Sequence, residues 1–190
     1  MLCDTKLTRL ISYPAKLGWT CRVPEEVRST GDFAFTGSPL ISKVIIPETV
    51  TSIGDFAFGR CLDLKNVTIP RNVTLIGKNP FSFCNIRLEV LFEEVNQNLV
   101  MVYGILFDRG ITRLILYPRQ KSGNYTIPNT VVSIDPWAFA HCTNLRSIAI
   151  PDVVVYIGEN AFHSCNNIRA VTIPRNVTTI CKNAFSERLG

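Results

Sequence analysis

The sequence predicts a repeat solenoid, a stack of short coils that each give one strand to a parallel sheet and return through a brief extended leg. Three observations predict it. Ile-Pro or Val-Pro steps at Val23-Pro24, Ile46-Pro47, Ile69-Pro70, Ile127-Pro128, Ile150-Pro151 and Ile173-Pro174 are spaced by 23, 23, 58, 23 and 23 residues. A phenylalanine follows each step, at Phe35, Phe58, Phe81, Phe139, Phe162 and Phe185, again 23 apart within each triplet. Finally, residues 1–86 map onto 105–190 with a shift of 104: Leu2, Asp4, Thr8, Arg9, Tyr13 and Pro14 match Leu106, Asp108, Thr112, Arg113, Tyr117 and Pro118. A fixed period carried by independent landmarks is the signature of a repeat array.

Each element of the unit has a physical reason. The clearest copies are LKNVTIPRNVTLIGKNPFSFC (Leu64 to Cys84) and LRSIAIPDVVVYIGENAFHSC (Leu145 to Cys165). Apolar residues at the first, fourth and sixth positions mark a short strand with one face inward. Proline ends that strand, having no N–H for the ladder. Val73 and Ile76, or Val154 and Ile157, then turn inward on a second extended leg. Gly54, Gly77 and Gly158 are read as bend residues with a free backbone. The Ala-Phe pair plugs the core before a corner at the cysteine. The hexapeptide IPRNVT, present at residues 69–74 and 173–178, is therefore an equivalent turn in two copies of a 104-residue super-unit. The chain reads as one solenoid over 1–190, with super-units 1–104 and 105–190. The stretch EEVNQNLVMVYG (Glu93 to Gly104) is an irregular part seen once. About eight coils would stack to a curved rod about 40 Å long.

Here the wording of the unit resembles a known family. The 23-residue period with its I-P, I-G and A-F-x-x-C signatures is similar to the BspA-like class of leucine-rich repeats. The segment VNQNLVMVYGILFDRGITRLILYP resembles that family's irregular unit, with Asn96, Asn98, Gly104, Leu106, Phe107 and Tyr117-Pro118 in the expected places. The resemblance implies a curved, right-handed coil stack with a parallel β-sheet on its concave face and short extended segments on its convex face. It also implies adhesion to host matrix proteins or other cells, at a cell surface or after secretion. Departures are Pro80 and Pro136 near the Ala-Phe step, Cys181 in place of glycine, and Thr36-Gly37-Ser38 where the first coil lacks its cysteine.

Composition limits the alternatives. Apolar residues make up 46% and charged residues 18%, which supplies a core and leaves no disorder signature. Twenty basic residues against fifteen acidic ones give +5, a modest excess without the basic run of a nucleic-acid tail. Asp4, Lys6 and Arg9 interrupt the first nine residues, so no secretory apolar segment is read there. The longest apolar run, Leu99 to Phe107, is too short to span a bilayer. Seven cysteines, an odd number, argue against a closed disulfide framework.

The chemistry-bearing residues are mostly absorbed by the repeat. Cys61, Cys84, Cys142 and Cys165 share one repeat position and should stack in pairs as small buried hydrophobes, since zinc spacing is absent. His141 and His163 sit one and two residues before their cysteines, so they are expected on different sides of the chain at exposed corners. With two histidines and no nucleophile elbow, phosphate loop or H-E-x-x-H, the reading is a non-enzyme without cofactor or metal. Arg71, Arg175, Lys78 and Lys182 read as a solvated convex stripe. Sequons at Asn66, Asn72, Asn124 and Asn176 follow from the repeat's own wording and argue little for glycosylation.

What remains is a surface. The period-2 rule points Lys43, Ile45, Asn66, Thr68, Asn124, Thr126, Ser147, Ala149, Ala170 and Thr172 out of the concave sheet. That row is small and weakly polar, suited to another polypeptide and poorly equipped for phosphate. The expected function is protein–protein interaction or adhesion through this face. A second reading is self-association or capture of a hydrophobic ligand, since neither Met1 nor NAFSERLG forms an obvious polar cap and Met101 to Phe107 adds apolar mass.

Overall fold

A computed structural model of the chain describes residues 1–14, 19–84, 88–92 and 95–186. Glu93 and Glu94, at the head of the irregular stretch, and residues 187–190 at the end of NAFSERLG lie outside the described residues. The chain forms two compact units, Met1–Leu99 and Val100–Gly190. Among the described residues both are built of short strands and turns without helices.

In the first unit the strands are β1 (Leu2–Cys3), β2 (Arg9–Ser12), β3 (Thr20–Arg22), β4 (Ser29–Thr30), β5 (Lys43–Ile45), β6 (Ser52–Ile53), β7 (Asn66–Ile69), β8 (Leu75–Ile76) and β9 (Glu89–Phe92). They alternate between two sheets, a front one ordered β3-β5-β7-β9 and a back one ordered β1-β2-β4-β6-β8. Pairing is parallel throughout except for the β1–β2 hairpin. The second unit continues with β10 (Leu99–Val102), β11 (Ile105–Asp108), β12 (Arg113–Leu116), β13 (Gly123–Thr126), β14 (Ser133–Ile134), β15 (Leu145–Ala149), β16 (Tyr156–Ile157) and β17 (Thr179–Ile180). Its front sheet is β13-β15, and its back sheet runs β10-β11-β12-β14-β16-β17.

The turn between front and back strand is what the Ile-Pro step encodes. Val50 N–H donates to Pro47 O at 3.0 Å, Val73 to Pro70 at 3.2 Å, Val131 to Pro128 at 3.0 Å and Val154 to Pro151 at 3.1 Å. The proline closes the strand, the turn bonds three residues on, and the valine drops into the core. Asparagine side chains tie turns together: Asn72 Nδ2 donates to Glu48 O at 2.8 Å and Asn176 Nδ2 to Asp152 O at 2.8 Å. The asparagine of IPRNVT thus belongs to coil stacking.

Behind the front strands runs the aromatic spine. In the first unit Phe35, Phe58 and Phe81 stack with centroids 4.9 and 5.4 Å apart, and Tyr13 extends the stack at 5.6 Å. In the second, Tyr117, Phe139, Phe162 and Phe185 follow at 4.8, 4.9 and 5.1 Å. The cysteines fill the adjoining corner. Cys61, Cys84, Cys142 and Cys165 are buried as thiols outside any disulfide, and Cys84 and Cys165 donate to Phe58 O and Phe139 O at 2.9 and 3.0 Å.

The glycines require a correction. Gly54, Gly77 and Gly158 do not occupy left-handed backbone; the residues that do include Phe33, Phe56, Asn79, Trp137, Asn160 and Asn183, one per regular coil, and a second set at the cysteine corner. What these glycines supply is closeness. A Cβ at Gly54 would lie 2.5 Å from Gly31 C, at Gly77 2.5 Å from Asp55 N, and at Gly158 2.4 Å from Pro136 N. The coils touch there backbone to backbone.

Asp108 organises the turn between β11 and β12. Its carboxylate accepts from the Thr112 and Arg113 amides, both at 2.7 Å, and from Thr112 Oγ1 at 2.6 Å. Burial alone would raise this carboxyl, but those hydrogen bonds and the Arg113 charge hold it below the ordinary 3.8. A lowered folded value means the contribution is present above the unfolded value and lost as pH falls through the folded one. Asp108→Ala should therefore cost about 1 kcal/mol at neutral pH, the low end for partly exposed charged hydrogen bonds. Urea melts of both proteins at pH 7 and pH 3 check it: the difference should shrink at the lower pH.

Candidate functional site

The outward face of the first unit's front sheet follows from alternation. Cys21, Val44 and Val67 point inward and are buried, which leaves the flanking residues outside. The register places Thr20 opposite Lys43, Lys43 opposite Asn66 and Asn66 opposite Glu89 in one row. A second row sets Arg22 opposite Ile45 and Thr68 opposite Leu91. The predicted residues Lys43, Ile45, Asn66 and Thr68 thus form the middle of this face.

Its edges were not among the predicted residues. Thr20, Arg22, Glu89 and Leu91 belong to the same rows, and the signal for the first two was present: Val23-Pro24 is one of the six steps, and the same offsets from it give Thr20 and Arg22. Glu89 and Leu91 sit in a strand that no proline ends, so no landmark marked them. They change the electrostatics. Charge runs across the face from Arg22 on β3 and Lys43 on β5, through uncharged Asn66 and Thr68 on β7, to Glu89 on β9. Beside it stands Trp19, 74% exposed, at the lip of a cleft of about 420 Å³ lined also by Ser42, Lys43, Asp63, Lys65 and Asn66. Its backbone is pinned, because Trp19 O accepts from Ser42 N at 2.8 Å and Ser42 Oγ at 2.9 Å.

In the second unit Asn124 lies opposite Ser147 and Thr126 opposite Ala149, all four exposed. Ala170 and Thr172 differ from expectation: they are exposed but belong to no strand. Arg146 on β15 and Arg169 on the next coil share a repeat position. Pairing there would set like charges about 4.8 Å apart, which weakens a ladder. Inward Ile168 remains buried, so the coil keeps its core contact and gives up its sheet.

The histidines also differ from expectation. His141 and His163 are not on different sides of the chain: their rings meet edge-on with centroids 5.2 Å apart. The His141 N–H donates to His163 O at 2.8 Å, and Trp137 packs on the His163 ring at 5.4 Å. Both are half-buried, and His163 Nδ1 contacts Ser186 Oγ at 2.8 Å. His141 is left-handed, as are Arg60, Phe83 and Ser164 at the same place in their coils, so the chain turns sharply between the two histidine positions. Among the described residues no three His, Cys, Asp or Glu side chains converge as metal ligands would. The Cys165 hydrogen bond and burial hold the Cys142 thiol well above its ordinary value, which keeps it protonated. Arg71, Lys78, Arg175 and Lys182 are exposed, and Arg71 Nε pairs with Glu48 Oε2 at 3.3 Å. Arg113 Nε grips both oxygens of Asp135 at 2.8 and 2.9 Å.

Similarity to known proteins agrees with this architecture. A family model described as the BspA type leucine rich repeat region matches six copies over residues 19–99 and 116–189. A search of curated proteins finds no match. Among solved structures, a leucine-rich repeat protein from Eubacterium ventriosum superposes with a TM-score of 0.73 at 24% identity, covering 94% of this chain and 60% of that one. The pneumococcal vaccine antigen PcpA gives 0.65 at 21% identity, covering 90% and 57%. A leucine rich cell surface protein from Faecalibacterium prausnitzii gives 0.66 at 26% identity, covering 87% and 50%. The chain therefore spans about half to three-fifths of the length of these relatives. No helix among the described residues is long and apolar enough to cross a membrane.

Proposed function

The chain belongs to the BspA-type leucine-rich repeat family, and from that premise we propose that it is a non-enzymatic interaction module, holding a protein partner on the outward face of β3, β5, β7 and β9. The observation that carries the reading is the pair of in-register rows on that face. Asn66, Thr68 and Ile45 offer a small, uncharged patch, while Arg22 and Lys43 on β3 and β5 are opposite in charge to Glu89 on β9. Exposed Trp19 supplies the rigid aromatic anchor that dominates many interfaces. Charge at the rim steers and orients a partner more than it tightens the complex. The partner expected is a matrix or cell-surface protein, and the setting is adhesion at a cell surface, in keeping with the surface location stated for the Faecalibacterium relative.

Immobilised chain should be offered extracellular-matrix proteins and a second copy of itself side by side. Trp19→Ala and Thr68→Arg, both outside the core, should each weaken capture of the bound protein about 30-fold, the effect of about 2 kcal/mol at a hot spot. Their melting temperatures should match the wild type. Undiminished binding by both variants would remove this face from the function, and concentration-dependent sedimentation insensitive to Thr68→Arg would point to self-association instead.

A further inference from the structure

In the second unit the back sheet outruns the front one. Back strands β14 and β16 have front partners in their own coils, β13 and β15, but among the described residues no front strand stands across from β11 or β12. The space so left is a cavity of about 520 Å³, within the range of ligand pockets. Ile105 and Phe107 of β11, with Tyr117 just beyond β12, lie buried at its base, and β13 forms one wall.

That wall is an unfinished sheet. Gly123 N–H and Ile127 N–H donate to Asn144 O and Ala149 O on the β15 side. Alternation turns the N–H and C=O groups of Asn124 and Thr126 the other way, towards the cavity, where no strand pairs with them among the described residues. Tyr125 occupies the inward position equivalent to Ile148, yet it is only half-buried. Its ring lies 4.9 Å from Tyr117, and burial pushes both phenols up to about 12. Among the described residues the lining is therefore largely aromatic, and Lys121 is its one charged side chain.

Two further observations point to a ligand. The 104-residue shift places Met1, Cys3 and Cys21 where the cavity has Ile105, Phe107 and Tyr125, while Tyr117 keeps its match in Tyr13, so the repeat itself does not require rings at Phe107 and Tyr125. Above the cavity, the hairpin from β10 to β11 turns on Tyr103 and Gly104, with φ of 50° and 78°. Two left-handed residues make a type I′ turn, whose first position favours asparagine and strains a bulky side chain. Tyr103 nonetheless stands there, 89% exposed on the cavity rim.

We propose that this cavity takes an extended peptide segment of a partner protein, added as a strand to the free edge of β13. One aromatic side chain of the segment stacks on half-buried Tyr125, which Phe107 and Tyr117 back from within the core. An acidic side chain lies against Lys121, whose Cε sits 3.8 Å from where a Gly104 side chain would begin. Tyr103 closes over the top. A hydrocarbon would satisfy the floor but leave the outward Asn124 and Thr126 backbone groups covered and unpaired; a strand satisfies both. The site is distinct from the Trp19 face and stands without it.

The test is fluorescence polarisation of the full chain with the labelled probe acetyl-Thr-Glu-Phe-Thr-Thr-amide. Replacing the probe's phenylalanine by alanine should weaken binding at least tenfold, as should N-methylation of its backbone. Thr126→Pro removes an outward N–H while leaving the β15 ladder intact, and should cost at least tenfold. Tyr103→Asn should lose at least fivefold while melting at the same or a higher temperature, because asparagine suits the turn. Trp19→Ala should leave probe binding unchanged. The proposal is overturned if the wild type does not bind the probe, if the phenylalanine and alanine probes or the plain and N-methylated probes titrate alike, or if Trp19→Ala abolishes binding. The N-methylated probe keeps the backbone test valid should Thr126→Pro not fold.

Discussion

Phe139→Ala is expected to lower the unfolding free energy by about 3–5 kcal/mol, the range for emptying a fully buried phenylalanine site. The ring is inaccessible to solvent and sits between Tyr117 at 4.8 Å and Phe162 at 4.9 Å, with Tyr125 at 6.1 Å. Its neighbours are stacked rings fixed by parallel strands on either side, so they cannot slide inward to fill the void. In a solenoid each coil is stabilised chiefly by its neighbours, and removing a middle ring loosens two interfaces at once. Phe139→Leu, which refills part of the volume, should recover about half of the loss. Urea denaturation followed by circular dichroism measures both. A Phe139→Ala cost under about 1 kcal/mol would mean that the ring column does not hold the coils together.

Gly158→Ala should cost about 3 kcal/mol, at the upper end for forcing extra atoms into a packed site. A methyl there would lie 2.4 Å from Pro136 N and 2.7 Å from Asp135 C. Those are backbone atoms of the preceding coil, held by the Asp135 N–H bond to Leu114 O at 2.9 Å and the Gly158 N–H bond to Ile134 O at 2.9 Å. Relief requires the coils to part. Gly110→Ala is the matched control, since its nearest neighbour is the Thr112 Cγ2 methyl at 3.4 Å, and it should change stability by less than about 0.5 kcal/mol. If bend flexibility were the reason for these glycines, the two substitutions would cost about the same. Departures from glycine at this repeat position fall at the ends of the second unit's regular run. Asp135 lies next to the irregular coil, and Cys181 is in the outermost described one.

The histidines illustrate how far periodicity reaches. Their differing offsets from Cys142 and Cys165 pointed to opposite sides of the chain, yet His141 adopts a left-handed conformation and the rings meet. Sequence spacing fixes where a residue falls in the coil. The left-handed angle recurs before each corner cysteine, at Arg60, Phe83, His141 and Ser164, but spacing alone does not reveal the turn it makes. Ala170 and Thr172 follow the same logic, because their place in the unit was legible but strand pairing also needed a tolerable neighbour for Arg169.

By itself the sequence determined the period, the inward residues and the turns. Ile, Val and Phe at fixed offsets can be buried only if every coil closes in the same way, and proline ends each front strand wherever it stands. Four of the outward residues it marked lie at the centre of the proposed binding face, and four more on the second unit's sheet. Tertiary structure alone decided the distances between coils and the places where strands are missing. The glycines proved to be contact points because close approach is a property of two coils. The cavity beside β13 exists because back strands were added without front ones, and no single coil's sequence records that difference.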